Sequence, residues 1–321
     1  MTLERVFAWL LSMGIIGLGA GMAFAQSYPN RPIRIVTGGV GGGNDFAARL
    51  IAQGLTASVG QQVIVDNRAS GVIPGETVSR ALPDGYTLLV TGGTLWIGPL
   101  LQHTPYDPMR DFAPISLLTR APNILVVHPS LPVKSVSELI ALAKARPGEL
   151  NYSSSGAAGG SSHLAGELFK AMAGVDITRI PYKTSASETS DLIAGHVQLA
   201  FGTAASVMPH LKSHRLKALA VTSAEPSALV PGLPTVAASG LRGYEAEQNL
   251  ALFAPGKTPA TIVGLVHREV VRVLNRSDIK EKFFNAGVET VGSSPEELAA
   301  AMKSETTRLG TVIRNAGIRA E

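Results

Sequence analysis

The chain has 321 residues, a formal net charge of +4 and no cysteine, and aromatic residues make up only 5% of it. The absence of cysteine excludes a disulfide framework and a thiolate metal site. Lysine and arginine are dispersed and are not interleaved with aromatic residues, so we expect no nucleic-acid partner.

The first 25 residues have the features of a secretory leader. Arg5 precedes an uncharged stretch, residues 6–22, and Ala23-Phe24-Ala25 is a small-x-small cleavage site. An uncleaved membrane anchor is the alternative, because the uncharged run approaches the length of about 20 residues that a membrane helix needs. Four glycines within this run and the cleavage site favour a leader. We predict cleavage after Ala25 and export of the mature chain.

Two corners follow, each with the order strand, glycine-rich loop and helix start. The first corner, residues 38–45, reads Gly-Gly-Val-Gly-Gly-Gly-Asn-Asp and joins the apolar run 33–36 to an amphipathic run. The second corner, residues 154–163, joins the run 150–153 to another amphipathic run. A further short apolar strand follows each helix, so both corners begin a βαβ unit. Unpaired backbone N–H groups and the helix dipole make a small anion the expected guest of such corners.

The rest of the chain alternates helices with short strands. Helix starts are marked by Ser135 with Glu138, by Thr258-Pro259, and by Ser294-Pro295. Apolar runs typical of strands lie at residues 87–90, 124–127, 199–201, 216–221 and 250–253. This alternation predicts an α/β architecture, in which loops after the carboxyl ends of parallel strands line the ligand crevice. We therefore predict two lobes whose glycine corners face each other.

The predicted domain organisation is a leader followed by two lobes, since the mature length fits two domains. We place the leader at residues 1–25, lobe 1 at 26–120 and 225–321, and lobe 2 at 121–224. The chain is expected to pass between the lobes at residues 119–123, a segment that contains Pro122. The return passage is expected between residues 220 and 234, where three prolines interrupt regular structure.

Short motifs along the whole mature chain carry a family resemblance. In chain order they are Tyr28-Pro29-Asn30-Arg31-Pro32-Ile33, Gly41-Gly42-Gly43-Asn44-Asp45, Asp66-Asn67-Arg68, Pro83-Asp84-Gly85-Tyr86-Thr87-Leu88, Pro105-Tyr106-Asp107-Pro108, Asp111-Phe112-Ala113-Pro114, the run 161–169, Ile180-Pro181-Tyr182-Lys183, the run 219–223, and Ala316-Gly317-Ile318. In this order they resemble the substrate-binding proteins of tripartite tricarboxylate transporters, also called the Bug family.

The resemblance implies a two-lobed periplasmic binding protein of the type II kind, with a ligand cleft between two doubly wound α/β lobes. It implies a monomer, not an enzyme, that binds a small organic acid or amino acid and delivers it to membrane permease subunits, with no cofactor and no metal. Such proteins grip a carboxylate through backbone N–H groups, hydroxyls and ordered water, without an arginine clamp. The corresponding candidate ligand-binding residues are Val40, Gly41, Gly42, Gly43, Asn44, Asp45, Gly92, Thr94, Ser155, Gly156, Ser161, Ser162, His163, Lys183 and Thr203.

Three positions depart from the family pattern. Residues 37–40 are Thr-Gly-Gly-Val where the family usually has Pro-Phe-Pro-Ala, which removes an aromatic wall. Asn249 stands where a tryptophan or similar aromatic is usual, and Gly202 stands where an Asp or Asn is common. These departures predict a pocket that is roomier or more polar than usual.

Several of the candidate residues have a second interpretation. Ser161 and Ser162 are candidates for capping the second helix, as Asp45 is for the first. An inward-facing Asp45 carboxylate would repel an acidic ligand, so we expect it to point away or to order water. His163 is expected to be neutral, because the positive end of a helix dipole disfavours its protonation. Lys183 is expected to lie at the surface.

The sequence leaves alternatives to solute delivery. A sensor subunit that presents its liganded form to a signalling receptor is the alternative within the class of binding proteins. A secreted hydrolase using the Ser- and His-rich second corner is disfavoured because no G-x-S-x-G motif occurs. The glycine loops fit neither G-x-G-x-x-G nor a P-loop. His210 and His214 are four residues apart and could share a metal on one helix face, but no H-E-x-x-H accompanies them.

Overall fold

The computed structural model describes residues 28–68, 72–155 and 159–319, and these form a mixed sheet flanked by helices. The strands are β1 Ile33–Thr37, β2 Val63–Asn67, β3 Thr87–Gly92, β4 Phe112–Val127, β5 Asn151–Ser155, β6 Thr178–Tyr182, β7 Leu199–Thr203, β8 Lys217–Val221, β9 Glu247–Pro255 and β10 Glu289–Thr290. The helices are α1 Gly43–Val59, α2 Ile73–Ser79, α3 Thr94–Leu101, α4 Val136–Ala145, α5 Ser161–Ala173, α6 Ser185–Ala194, α7 Ala204–Lys212, α8 Ala260–Leu274, α9 Ser277–Asn285 and α10 Pro295–Ala316. The predicted leader with its cleavage site, and Gly156, lie outside the described residues.

Every strand and helix that the sequence pattern predicted is present, and its ends lie within a few residues of the predicted ones except in β4, which begins at Phe112 instead of residue 124. The helix starts follow the predicted caps: Ser135 accepts a hydrogen bond from the Glu138 N–H at 3.2 Å. Ser294 and Glu297 form a complete capping box at the start of α10, with bonds of 3.1 and 2.8 Å. Within the described part of the chain, no helix combines the length and the apolar character needed to cross a membrane.

The strand order is β2-β1-β3-β9-β4-β7-β5-β6, and β8 and β10 also pair with β4. The first three strands are mutually parallel, and so are β5, β6 and β7. Strand β9 is antiparallel to both β3 and β4, so β3 and β4 run in the same direction. Because β4 and β7 are antiparallel, β5 to β7 run opposite to β1 to β3.

Strand β4 is shared by both halves of the sheet. Its residues 112–122 pair with β9, and its residues 123–127 pair with β7 and β8. We call β1 to β3, β9, β10 and this first part of β4 the first half, and β5 to β8 with the remainder of β4 the second half. The segment of β4 where the partners change, residues 119–123, is called the crossing.

The two halves share part of their core. One apolar cluster packs α1 and α8 onto the first half, and another packs α6 and α7 onto the second. A third cluster is continuous across both halves, with Leu89 and Trp96 from the first, Tyr152 and Phe201 from the second, and Leu309 from α10. Helix α10 packs on α3, β4 and α5 and so joins the halves on this face.

The capping box at the start of α10 leads to a stability prediction. Replacing Ser294 by alanine should lower the free energy of unfolding by about 1 kcal/mol, because the Glu297 N–H loses its side-chain acceptor. Urea unfolding followed by circular dichroism measures the difference. Ser304 is exposed on the same helix and makes S304A the matched control. Equal midpoints for the two variants would contradict the prediction.

Candidate ligand-binding site

The strand ends of the two halves face each other across the crossing. Gly92 at the end of β3 pairs with Leu250, which pairs with Thr119 of β4, and Thr203 at the end of β7 pairs with Asn123. Because β3 and β7 run in opposite directions, their carboxyl ends point toward each other. Thr119 and Asn123 are four residues apart along β4, which corresponds to about 13 Å of extended strand. The loops after β1 and β3 therefore lie opposite the loops after β5 and β7.

The first corner is an open glycine loop at the start of α1. Gly42 is the N-cap, and none of the described side chains caps this helix. The N–H groups of Gly43 and Asn44 lack helical partners by their position, so they are available to an anion. Val40 at the loop tip is 77% exposed, and Gly41 has φ +82°, a conformation that favours glycine.

Asp45 is buried and turned back into its own loop. Its Oδ2 accepts a hydrogen bond from the Gly41 N–H at 2.9 Å, and its Oδ1 accepts from Asn67 Nδ2 at 2.8 Å. Arg49 pairs with the same carboxylate at 2.9 Å. Burial raises the pKa of Asp45, but these hydrogen bonds and the guanidinium outweigh burial and lower the pKa overall. The expected helix cap is therefore wrong, since the carboxylate binds a loop N–H rather than one of the helix.

The second corner repeats this construction with histidine in place of aspartate. Gly160 is the N-cap of α5, Gly159 has φ +81°, and His163 Nδ1 accepts a hydrogen bond from the Gly159 N–H at 3.0 Å. An accepting Nδ1 requires the tautomer with the proton on Nε2. Burial, followed by the charge of Arg179, lowers the pKa of His163 to about 4. The predicted neutral histidine is confirmed, although burial rather than the helix dipole is the main cause.

The two corners are equivalent residue by residue. Each contains a glycine pair, Gly41-Gly42 and Gly159-Gly160, followed after two residues by a side chain that returns to the first glycine of the pair. The two glycine φ angles differ by 1°, and both N-cap residues have extended backbone. Sequence reasoning identified both loops but missed this pairing, which the shared spacing Gly-Gly-x-x-(Asp/His) signals.

The serines of the second corner stabilise the loop rather than cap the helix. Ser162 is buried, and its Oγ donates to the Ser155 carbonyl oxygen at 3.4 Å. Ser155 Oγ lies 3.0 Å from Ser185 Oγ at the start of α6. The N-cap position belongs to Gly160, so the capping roles expected for Ser161 and Ser162 are wrong.

The remaining candidate residues lie at neighbouring strand ends. Gly92 is buried at the end of β3, and Thr94 is exposed at the start of α3. Thr203 caps α7 by accepting from the Ser206 N–H at 3.4 Å. Lys183 is exposed after β6, as predicted.

Glu305 of α10 lies beside Gly93, next to the end of β3, and was missed by sequence reasoning. Its Oε2 accepts hydrogen bonds from Trp96 Nε1 at 3.0 Å and from Asn249 Nδ2 at 3.4 Å. A Cβ added to Gly93 would lie 3.6 Å from Glu305 Oε1. Burial raises the pKa of Glu305 against the effect of both hydrogen bonds. Nothing in the local sequence connects Glu305 with Trp96, because 209 residues separate them.

The geometry of the described residues does not support the hydrolase and metal-binding alternatives. Across the described ranges, no serine hydroxyl is bonded to His163, so the second corner lacks a serine and histidine pair of the hydrolase kind. His214 follows the end of α7 with φ +56°, so it does not share a helix face with His210. No group of three or more His, Asp or Glu side chains that could hold a metal ion occurs in residues 28–68, 72–155 and 159–319.

Comparison with known proteins supports the same architecture. The protein BugT of Bordetella pertussis is 35% identical over 328 aligned residues, which cover 99% of both chains. The structure of Rpa4515 from R. palustris with adipate has a TM-score of 0.73 and 36% identity, over 91% of this chain and 99% of that one. The structure of MatC from Rhodopseudomonas palustris with bound malate has a TM-score of 0.69 and 27% identity, over 89% of this chain and 100% of that one.

A family profile identifies the relationship directly. The profile of the TctC family, described as the tripartite tricarboxylate transporter family receptor, matches residues 47–318. These residues begin within α1 and include the crossing, the second corner and α10. The chain therefore belongs to the tripartite tricarboxylate transporter receptor family, whose members are solute-binding proteins and not enzymes.

Proposed function

We propose that this protein binds a small carboxylate in the periplasm and delivers it to the permease of a tripartite tricarboxylate-type transporter. The observation that carries the proposal is the pair of equivalent glycine corners on strand ends that face each other across the crossing. Both corners present helix-entry N–H groups, which favour an anion. The adipate and malate in the structures of the two relatives have this chemistry.

The proposed mechanism is capture by closure. A carboxylate receives hydrogen bonds from the first corner and the second corner only when the two halves approach, so the ligand stabilises the closed form. The candidate residues of the first corner, with Gly92 and Thr94, belong to lobe 1, and those of the second corner, with Lys183 and Thr203, belong to lobe 2. The lobe boundaries are residues 26–120 and 225–321 for lobe 1 and 121–224 for lobe 2, with movement at the crossing.

The closed form is the signal that the permease recognises in this proposal. The protein acts as a monomer after cleavage behind Ala25, and mass spectrometry of periplasmic material tests that cleavage.

A thermal-shift screen over small mono-, di- and tricarboxylates, amino acids and aromatic acids tests the binding step. A ligand at 100 times its dissociation constant should add about 2.7 kcal/mol of apparent stability. The expected result is a rise in melting temperature with one or a few acids. If all of them leave the melting temperature of a folded sample unchanged, the proposed function is wrong.

A glycine substitution tests the site itself. Gly42 has φ −82°, and an added Cβ would make only an ordinary contact, 3.6 Å from the Gly39 carbonyl oxygen. G42L should therefore leave the fold intact but fill the first corner, and we expect at least about tenfold weaker binding, or about 1.4 kcal/mol. G264L on α8 is the control, because its Cβ also has room. Equal calorimetric dissociation constants for both variants would place the ligand elsewhere.

A further inference from the structure

Buried polar atoms without partners are concentrated at the crossing. Thr119 is 0% exposed and Asn123 is 1% exposed, yet Thr119 Oγ1 and Asn123 Nδ2 have no hydrogen-bond partner within the described chain. The same holds for Glu247 Oε1 and Asn249 Oδ1 at the start of β9, which pairs with the crossing. Such groups destabilise the folded protein when they stay unpaired in its interior. Their concentration between facing strand ends is what a ligand site requires.

These atoms lie next to residues already assigned to the candidate site. A Cβ added to Gly92 would lie 3.1 Å from the Asn249 carbonyl oxygen, so the start of β9 borders the loop after β3. Asn123 pairs with Thr203 at the opposite strand end. A ligand that bridges the corners therefore passes over the crossing.

The chemistry of the crossing differs between its two ends. At the first-half end, Asn249 Oδ1 and Glu247 Oε1 are acceptors without a donor, and the Glu305 carboxylate accepts a hydrogen bond from Asn249 Nδ2. At the second-half end, Asn123 Nδ2 is a donor. A further carboxylate on the ligand is thus disfavoured next to Asn249 and Glu247, where a hydrogen-bond donor is favoured.

Charge strengthens this asymmetry. Arg120 pairs with Glu289 at 3.5 Å, and Arg308 pairs with Glu245 at 2.7 Å. In the described structure, Glu247 and Glu305 have no ion-pair partner within 4.0 Å. A second carboxylate of the ligand at this end would be repelled by the Glu247 and Glu305 carboxylates. These groups are partly buried, so the repulsion is less screened than in water.

We propose that the crossing is the floor of the ligand site and selects a carboxylate whose far end carries a hydrogen-bond donor, above all an amine, over a dicarboxylate. The inference rests on the proposed function and gives it a substrate class and an orientation. The ligand carboxylate lies between the two corners, and the amine at its far end donates to Asn249, Glu247 and Glu305.

Ligand pairs of equal length test the inference by calorimetry at pH 8. The pairs are 6-aminohexanoate with adipate and 4-aminobutanoate with succinate, and the monoamide of adipate separates donation from charge. We expect the amine to bind at least about tenfold more tightly than its dicarboxylate partner, with the monoamide between them.

Variants assign the selectivity to named residues. E305Q and E247Q should each lower the ratio of amine affinity to dicarboxylate affinity about tenfold, because glutamine removes the negative charge and keeps the side-chain size. E149Q is the control: Glu149 is exposed before the amino end of β5, which points away from the crossing. If E305Q fails to fold, E247Q alone decides the outcome.

The selectivity should also depend on pH. Burial, with Glu245, Glu289 and Glu305 nearby, raises the pKa of Glu247 to about 7 against the opposing charge of Arg120. The preference for the amine should therefore increase between pH 6 and pH 8 in the native protein, and less so in E247Q.

The failures of the two proposals are distinguishable. A dicarboxylate that binds as tightly as its amine partner, with a ratio unchanged in E305Q and E247Q, would overturn the inference and leave carboxylate binding in place. A folded protein that binds none of the probes and none of the screened acids would overturn the proposed function and the inference with it.

Discussion

Replacing His163 by leucine should weaken carboxylate binding by about thirtyfold, or about 2 kcal/mol. The imidazole Nδ1 accepts the Gly159 N–H, and leucine would leave that buried N–H without a partner. The loop then loses the contact that holds Gly159 in its left-handed conformation, and the N–H groups at the start of α5 lose their fixed direction. Titration calorimetry with an acid identified in the screen measures the change.

H163N is the rescue variant for this experiment. Asparagine Oδ1 can occupy the position of Nδ1, and Asp45 shows that a side chain of this shape accepts the equivalent glycine N–H in the first corner. We expect H163N to bind within about threefold of the native protein. If H163N and H163L bind equally weakly, His163 contacts the ligand itself or fills space rather than positioning the loop.

The pH dependence of His163 provides a second readout. Its pKa of about 4 lies below the ordinary 6.5, so the unfolded chain takes up the proton first as the pH falls. The contribution of neutral His163 to the free energy of unfolding is complete above pH 6.5 and is lost progressively down to about pH 4. Arg179 and Lys170 oppose protonation of this imidazole, and Glu167 favours it. In H163N this part of the acid destabilisation should be absent.

The free energy of unfolding should fall by up to about 3 kcal/mol between pH 4.5 and pH 7 because of Glu247. Burial is the main cause that raises the pKa of Glu247 from 4.5 to about 7, so the folded protein retains a proton that the unfolded chain releases. The stabilisation is therefore complete below pH 4.5 and disappears as the pH rises through 7. E247Q should remove this decline, since glutamine does not titrate.

Urea unfolding at half-unit pH intervals measures the Glu247 effect, with E149Q as the exposed control. The difference between native and E247Q curves isolates Glu247 from other groups, including Glu305, whose pKa is also raised. Parallel curves for the two proteins from pH 4.5 to pH 7 would show that Glu247 is solvated in the folded state.

The sequence pattern was most informative where local chemistry decides the structure. The Ser294 cap and the glycine corners depend on residues close in sequence, and the structure contains them where the pattern indicated. The first part of β4 was missed because Pro114 and Pro122 argue against a central strand. The structure accommodates Pro114 beside a shift of register, between Pro114 and Ser116.

The floor of the candidate site could not be predicted from the sequence. Asn249 was noted only as a missing aromatic, and its neighbour Glu305 belongs to a helix 56 residues later. The hydrogen bond between Asp45 and Asn67 could not be predicted either, because Asn67 lies at the end of another strand. Contacts between distant segments are set by tertiary packing, which periodicity and capping signals do not report.

The continuity of β4 has a mechanical consequence. A cut near residue 120 would sever the strand that pairs with both β9 and β7, and it would split an apolar cluster to which both halves contribute. Separately produced halves are therefore not expected to fold, and calorimetry of the intact protein should show one cooperative transition. Opening and closing must then arise from bending and twisting of an unbroken strand rather than from the swing of two independent bodies.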